Sequence, residues 1–218
     1  LGLIMLQPDL GSALVVCAAL LGVLIAADVQ ARWMIGLAAA AIGGAVLAVK
    51  AGVLADYQLE RFEAFTRPGH DLQGAAYNVH QARIAIANGG FGGAGLFHGP
   101  QTRGEFVPEK QTDFIFSVAG EELGFLGSAL IIGLFAVLLV RALRIARDAD
   151  RTGRLIAAGV VSWFGFQVFE NIGMNLGIMP VTGLPLPFVS YGGSSMLAGA
   201  LALGLLQAIH ASTVRRVG

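Results

Sequence analysis

The fold is decided by residues 114–140, which read FIFSVAGEELGFLGSALIIGLFAVLLV. Glu121 and Glu122 are the only charged residues in this run. At about 1.5 Å per residue, a helix of this length can cross the roughly 30 Å hydrocarbon core of a bilayer. Asp113 directly precedes the run, and the two glutamates lie about 12 Å further along if the helix begins there. Carboxylates in such positions are candidates for a functional site, because burying them in hydrocarbon is costly.

The whole chain shares this apolar character. Of its 218 residues, 56% are hydrophobic and 13% are charged, and the formal net charge is zero. This composition predicts an all-α polytopic membrane protein, a single domain over residues 1–218, and gives no reason to expect a nucleic-acid partner. Cys17 is the single cysteine, so no intrachain disulfide can form. Because the sequence begins at Leu1 without a methionine or signal-peptide features, we expect it to be the carboxyl-terminal piece of a longer protein.

Five stretches are apolar and long enough to be transmembrane helices. They cover approximately residues 10–27, 32–50, 114–140, 155–178 and 189–210. The loop at 141–154 is rich in arginine, and positive charge marks cytoplasmic loops. Alternation of the spans then predicts that the loop at 51–113 and the turn at 179–190 are extracellular.

The loop at 51–113 is the expected working surface, since loops of this length are usually functional. Residues 77–88 favour a short amphipathic helix, on the membrane surface or packed on the bundle. The glycine-rich run at 88–95 indicates positive φ angles or a close backbone approach, and it lacks the ending of a phosphate-binding loop. In the turn at 179–190, two prolines prevent a regular helix, so we expect a re-entrant backbone there.

Several further motifs occur in order along nearly the whole chain. They are Gln7-Pro-Asp-Leu-Gly11, Gly89-Gly90, His98-Gly99 with Gln101, Phe106-Val-Pro-Glu109, Thr112-Asp-Phe-Ile-Phe116, Glu121-Glu-Leu-Gly124, Asn171-Ile-Gly173 and Pro185-Leu-Pro-Phe-Val-Ser-Tyr-Gly-Gly-Ser194. Together they resemble the SEDS family of bacterial cell-wall polymerases. The segments at 98–101 and 105–109 look more like the elongation-type member RodA than the division-type member FtsW.

The resemblance implies a fold of ten transmembrane helices in the bacterial plasma membrane, of which this chain would hold the second half. It also implies polymerisation of lipid II into glycan strands at the outer face, in a complex with a class B penicillin-binding protein. Two positions depart from the family pattern: Gln111 stands where histidine is expected, and Glu170 where an apolar residue is commoner. The first departure weakens any role for an imidazole beside Asp113.

The implied reaction joins two sugars by displacing undecaprenyl diphosphate. It needs a base for the attacking hydroxyl and positive charge for the leaving group. Asp113 suits the base, because an aspartate is ionised at neutral pH and the resemblance places the family's essential acidic residue there. A single base with direct displacement implies inversion at the anomeric carbon. The competing interpretation of Asp113 is capping of the following helix.

Candidate substrate-binding residues lie in the long loop and in the re-entrant turn. Those expected are Arg61, Gln101, Arg103, Glu109, Lys110, Ser190, Tyr191 and Ser194. The cations among them suit the diphosphate, although interfacial anchoring to lipid explains each one about equally well. The hydroxyls suit a polar cleft, and tight helix packing through Gly192 and Gly193 is the alternative for that segment.

Three more carboxylates are expected to support the site. Glu121 and Glu122 point about 100° apart on a helix, so at least one must face a polar cavity or a partner. A buried, hydrogen-bonded role is favoured for them over direct catalysis, and helix capping is favoured for Asp9. A divalent cation at Asp113, Glu109 and a nearby glutamate stays open, although no metal-ligand spacing demands it.

The histidines and two alternative functions complete the interpretation of the sequence. His70, His80 and His98 show no pairing typical of zinc or of a catalytic dyad. A lipid II flippase, or a noncatalytic scaffold of cell-wall synthesis, stays open as an alternative function. A transporter should carry polar groups through its spans near the bilayer midplane, whereas here they concentrate in the predicted outer loop, which favours chemistry.

Overall fold

The computed structural model describes residues 9–50 and 75–217, and within these ranges every regular element is helical. The helices are α1 (Leu10–Ala26), α2 (Ala31–Lys50), α3 (Ala75–Gly89), α4 (Pro100–Arg103), α5 (Ile115–Asp148), α6 (Arg151–Leu176) and α7 (Gly193–Val217). In this part of the chain α5, α6 and α7 are long and apolar enough to cross a membrane, and α1 and residues 31–44 of α2 are shorter apolar helices. The predicted all-α class is confirmed.

The bundle is centred on α6, which packs against both α1 and α5. Small residues bring α5, α6 and α7 close together, and the core there contains Ala142, Ala157 and Ala202 around the buried ring of Phe164. Small side chains allow such close backbone approach between apolar helices. Many large apolar side chains on α1, α5 and α7 point outwards instead, as expected for helices that face lipid.

The prediction of an arginine-rich loop at 141–154 is wrong in its secondary structure. Helix α5 continues to Asp148 and α6 begins at Arg151, so the connection is only two residues long. The Asp150 side chain caps α6 by accepting a hydrogen bond from the Gly153 backbone N–H at 2.9 Å. Arg147 in the last turn of α5 favours continuation of that helix, because a cation is stabilising near a helix C-terminus.

The predicted short helix in the long loop is present as α3, two residues longer at its start and one at its end. It packs against α5 and α6, and its Ala82 and Ala85 side chains are fully buried. Of the two placements expected from the sequence, the structure therefore shows packing on the bundle.

Helix α5 is broken at Gly124, within the predicted span at 114–140, and the helix is still long and apolar enough to cross a membrane. Gly124 has φ 66° and ψ −161°, a backbone conformation that only glycine adopts readily. A break of this kind frees the backbone groups that a continuous helix would pair across it. The segment before the break is a short helix of about nine residues, and the segment after it runs on to Asp148.

The glycine-rich loop after α3 binds the backbone groups freed by this break. Its Ala94 N–H donates to the Glu121 carbonyl at 2.9 Å, and the Phe125 N–H donates to the Gly90 carbonyl at 2.9 Å. A Cβ atom on Gly93, where φ is +84°, would lie 2.2 Å from the Glu122 carbonyl oxygen. Both expectations for the glycine run, positive φ and close backbone approach, are confirmed.

Candidate active site

Asp113 lies where the long loop enters α5. Phe114 is the N-cap residue of α5, and its side chain makes no capping hydrogen bond. Asp113 therefore precedes the capping position, and its side chain is half-buried.

Two asparagines of α6 hold the backbone of Asp113. The Nδ2 atoms of Asn171 and Asn175 donate to the Asp113 carbonyl oxygen at 2.8 Å and 3.1 Å. Both asparagines are fully buried. The Asn175 Oδ1 atom also accepts from the Ser117 N–H at 3.0 Å, and this N–H lies in the first turn of α5. The two asparagines thus fix both the entry to α5 and the residue before it.

Gln167, Asn171 and Asn175 form an amide ladder along one face of α6, because residues four apart share a helix face. The ladder also holds the turn at 179–190. Asn171 Nδ2 donates to the Leu184 carbonyl at 2.7 Å, and Gln167 Nε2 donates to the Pro185 carbonyl at 2.8 Å. Leu184 is bound by Asn171, and the next residue, Pro185, is bound by Gln167, which lies one turn earlier on α6. The turn therefore runs back along α6, and the carbonyl groups of Leu184 and Pro185 are satisfied inside the bundle.

Glu170 ties the same turn to α6. This residue departs from the family pattern, and it is fully buried. Its Oε1 atom accepts a hydrogen bond from the Thr182 hydroxyl at 2.9 Å. A buried carboxylate needs such partners to offset its loss of hydration, so Glu170 is part of the scaffold of the turn.

The re-entrant turn and the loop before Asp113 are joined directly. The Ser190 hydroxyl donates to the Thr112 carbonyl at 2.6 Å and accepts from the Leu186 N–H at 2.7 Å. The Tyr191 N–H donates to the Gln111 carbonyl at 2.8 Å. The backbone carbonyl oxygens of residues 111, 112 and 113 thus each accept a hydrogen bond, which fixes the segment that precedes α5.

Two open cavities adjoin the residues before Asp113. One, of about 510 Å³, is lined by Gln111, Ser190 and Tyr191 together with apolar residues of the turn. The other, of about 380 Å³, is lined by loop residues that include Glu109 and Lys110. Gln111 lines both cavities. Loop and turn residues predicted to bind substrate therefore lie on either side of the segment that leads into Asp113.

Glu121 is a buried structural residue of this region. Its carboxylate accepts hydrogen bonds from the backbone N–H groups of Gln101 and Thr102 at 2.8 Å each, and another from the Thr102 hydroxyl. These N–H groups belong to the first turn of α4, where no intrahelical partner is available. Glu122 is buried too. The sequence-based preference for a buried, hydrogen-bonded role agrees with the contacts of Glu121.

Two of the three candidate cations lie in or next to α4. The Lys110 Nζ atom donates to the Thr102 carbonyl at 2.7 Å, which ties this side chain to α4. Arg103 is exposed in the last turn of α4. Glu109 accepts a hydrogen bond from the Thr112 hydroxyl at 3.0 Å. Arg61, the third predicted cation, and His70 lie outside the described residues.

The remaining predicted residues have simpler roles in the structure. Asp9 caps α1 by accepting from the Ser12 N–H at 2.9 Å and from the Ser12 hydroxyl at 2.6 Å. Gln101 is half-buried, and its side-chain Oε1 atom has no hydrogen-bond partner. Ser194 is exposed at the start of α7 and does not line the cavity beside Tyr191. No group of three or more His, Cys, Asp and Glu within residues 9–50 and 75–217 could hold a metal ion.

The amide ladder was not predicted from the sequence. Only Asn171 was singled out, as part of a motif, and neither Asn175 nor Gln167 was given a role. The available signal was spacing, because three amide side chains recur every fourth residue in the second half of a mostly apolar helix. Such a stripe is expected to face protein rather than lipid, since unpaired amides in hydrocarbon are costly.

Known proteins of similar sequence share one family. The chain is 40% identical over 209 residues to peptidoglycan glycosyltransferase MrdB of Escherichia coli (strain K12), covering 95% of this chain and 56% of that protein. It is 42% identical over 212 residues to the probable peptidoglycan glycosyltransferase FtsW of Trichlorobacter lovleyi, covering 97% and 55%. These identities do not separate RodA-type from FtsW-type relatives, and the chain spans little more than half the length of either.

A solved structure gives the same result at the level of the fold. One chain of a peptidoglycan synthase complex, described as coordinating polymerization and crosslinking, superimposes with a TM-score of 0.78 at 36% identity. The match covers 97% of this chain and 58% of that one. A family model described as cell cycle protein, FtsW/RodA/SpoVE, matches residues 1–215. The chain therefore belongs to the FtsW/RodA/SpoVE family of cell cycle proteins, the SEDS family.

Proposed function

We propose that the whole protein is a peptidoglycan glycosyltransferase that polymerises lipid II at the outer face of the plasma membrane, with Asp113 as the general base. The family membership supports the reaction class, because the relatives at 40% and 42% identity carry the name peptidoglycan glycosyltransferase. The observation that carries the role of Asp113 is its backbone clamp: two buried amides fix its carbonyl next to open cavities.

The clamp suits a general base for a physical reason. A base must sit within about 3 Å of the proton that it removes, and small displacements are expensive in rate. The clamp acts on the backbone carbonyl of Asp113, so it fixes the position of the residue that carries the carboxylate. Asp113 would accept the proton of the acceptor sugar hydroxyl while that oxygen bonds to the anomeric carbon and the bond to undecaprenyl diphosphate breaks, with inversion.

The leaving diphosphate requires positive charge. Lys110 lines the cavity beside Thr112 and uses one of its three ammonium donors on the Thr102 carbonyl, which leaves two for a phosphate oxygen. Arg103 is exposed one residue beyond Thr102. We assign the diphosphate to Lys110, Arg103 and Arg61, with Glu109, Gln101, Ser190, Tyr191 and Ser194 contacting the rest of the substrate.

A partner protein follows from the same family membership. The solved structure that this chain resembles is a complex that coordinates polymerization with crosslinking. We therefore propose that a class B penicillin-binding protein, a transpeptidase, is the partner of the whole protein. The polymerase assay below uses the two proteins together.

The test compares two aspartates in the full-length protein, purified with its partner and supplied with labelled lipid II. Asp113→Asn should lower the rate of glycan polymerisation by about 10²- to 10⁴-fold, the usual contribution of a general base. Asp28→Asn is the matched control, because Asp28 is exposed, pairs weakly with Arg154 at 3.7 Å and has a positive φ that asparagine tolerates. Its rate should be unchanged.

Undiminished polymer from a folded Asp113→Asn protein would remove Asp113 as the base. The two other functional classes make a different prediction in the same assay. A flippase or a noncatalytic scaffold would yield no polymer even with the wild-type protein, provided that the partner preparation alone has no polymerase activity.

A further inference from the structure

A second polar cavity lies at the opposite end of the bundle from Asp113. It lies between residues 138–148 of α5 and residues 203–210 of α7 and has a volume of about 430 Å³. Its floor is apolar and includes Leu138, Leu203 and Leu206, whereas Arg141, Arg144 and His210 lie at its polar side. The proposed polymerase reaction uses none of these residues.

The two arginines give this cavity an excess of positive charge. Arg141 and Arg144 are three residues apart on one face of α5, and both are exposed. A guanidinium stays charged at any physiological pH. Neither arginine forms an ion pair with another described residue, and Asp148 is the only carboxylate that lines the cavity. Two fixed cations therefore face one carboxylate, which lies a full turn further along α5.

The apolar floor continues along α5 beyond the cavity. Leu130, Leu134 and Leu138 follow each other at four-residue spacing and so lie on one face of the helix. Leu130 and Leu134 are exposed. A ligand at the arginines that also carries a hydrocarbon chain would cover this row of leucines, whereas a small soluble anion would leave it bare. The positive charge of the arginines and the apolar row of leucines together favour a ligand that has an anionic headgroup and a hydrocarbon chain.

We propose that the groove between α5 and α7 binds an anionic phospholipid of the surrounding bilayer. Its phosphate would accept hydrogen bonds from Arg141 and Arg144, with Gln207 and His210 on the opposite wall, and one acyl chain would lie over Leu138 and Leu134. Guanidinium groups bind phosphate oxygens in a two-pronged geometry. Basic pockets between membrane helices are recognised as binding sites for acidic lipid headgroups.

The test counts lipids that stay bound to the full-length protein in detergent, by native mass spectrometry. The lipids added are phosphatidylglycerol and phosphatidylcholine with identical acyl chains. Wild-type protein should retain phosphatidylglycerol preferentially. Replacing both Arg141→Gln and Arg144→Gln should weaken this retention by about fivefold for each arginine, and retention of phosphatidylcholine should not change.

Arg147→Gln is the matched control for charge. Arg147 is exposed on the same helix three residues beyond Arg144, but it does not line the cavity. Retention within twofold of wild type is expected for this variant. Equal losses from Arg147→Gln and from the single variants Arg141→Gln and Arg144→Gln would show diffuse attraction to a basic surface and would overturn the proposed site.

A change on the opposite wall tests the cavity itself. Gln207→Glu places a carboxylate across from the arginines at an exposed position of α7, so it should lower phosphatidylglycerol retention. Ser212→Glu adds the same charge at an exposed position outside the cavity and should have little effect. An excess of glycerol 3-phosphate should not displace the lipid. Full displacement by that soluble headgroup, or equal effects of the two glutamates, would contradict a lipid site between α5 and α7.

Discussion

Asparagine side chains, more than charged ones, set the geometry of the candidate site. Asn171 and Asn175 each bind two or more backbone groups inside the bundle. Removing one partner of a buried hydrogen bond costs about 1–3 kcal/mol, because the other partner stays buried without compensation. The same loss would also let the Asp113 carbonyl move, which ties stability and activity to these two residues.

Asn175→Ala should lower the free energy of unfolding by about 1–3 kcal/mol and should lower kcat for glycan polymerisation more than it raises KM for lipid II. The reason is that Asn175 positions Asp113 and the first turn of α5. Gln167→Ala is the matched comparison, since it removes an amide of the same ladder that binds the Pro185 carbonyl instead. Its stability loss should be similar, and its loss of kcat smaller. Equal kcat values for Asn175→Ala and wild type would contradict a positioning role.

Glu121→Ala should release α4. Three donors on Gln101 and Thr102 would lose their acceptor, so we expect destabilisation of about 3 kcal/mol or more, given that each bond involves a charged group. Glu122→Ala at the adjacent position should have a smaller effect, since α4 does not depend on it. Thermal unfolding in detergent measures both, and limited proteolysis should cut near residue 104 earlier in the Glu121 variant. Identical proteolysis of the two variants would rule out this contact as the anchor of α4.

At the scale of the element, the break in α5 is the feature on which the site depends. Before Gly124 the helix presents Glu121 to α4 and Ser117 to Asn175, and after it the helix packs against α6 and α7. The break itself is fixed by the loop at 90–95, whose hydrogen bonds replace those of a continuous helix. A change at Gly124 therefore acts on the loop and on α5 together.

Gly124→Ala should be strongly destabilising. The φ and ψ of this residue cost a non-glycine residue about 1–3 kcal/mol, and its Cβ atom would lie 2.3 Å from the Gly93 nitrogen. Gly133→Ala on the same helix is the control, because its Cβ atom would have no neighbour within 4 Å. That change should be neutral or stabilising by about 0.5–1 kcal/mol. The measurement is the thermal unfolding midpoint of each purified variant, and similar midpoints would contradict the observed break.

Apolar length and turn chemistry predicted the helices, but not where they end or break. The run at 114–140 indicates a span by length alone, whereas its break needs hydrogen bonds from residues about thirty positions earlier, which local pattern cannot reveal. The loop at 141–154 was inferred from charge, yet arginine is a good helix former and continues α5. At the site, the motif at 112–116 indicated Asp113. Its contacts with Asn171 and Asn175 could not be predicted, because they depend on which face of α6 packs against α5.

At the scale of the whole molecule, the structure separates two polar ends. The loop and turn around Asp113 lie at one end of α5, and the arginines between Arg141 and Arg154 lie at or beyond the other end. The orientation of the chain across the bilayer can therefore be inferred from the charge at each end. The positive-inside rule assigns the arginine end to the cytoplasm, and the Asp113 end is then proposed to face outwards.

Cysteine labelling on intact cells tests this orientation. In a Cys17→Ser background, Leu96→Cys should react with a membrane-impermeant maleimide, because Leu96 is exposed in the loop near α4. Arg151→Cys should react only after the membrane is permeabilised. Both positions are exposed, so burial does not explain a difference. The reverse labelling pattern would place Asp113 in the cytosol and end the proposal of an extracellular polymerase.

The break at Gly124 also constrains how the protein enters the bilayer during synthesis. Residues 125–148 can leave the translocon as an ordinary helix, since their backbone groups pair within the segment. The few residues before Gly124 cannot, because the carbonyl groups of Glu121 and Glu122 find donors only in the loop at 94–95. That loop is already synthesised when α5 emerges, so its docking must accompany or precede insertion of the short segment. We therefore expect this region to insert as one cooperative unit of loop and helix rather than one span at a time.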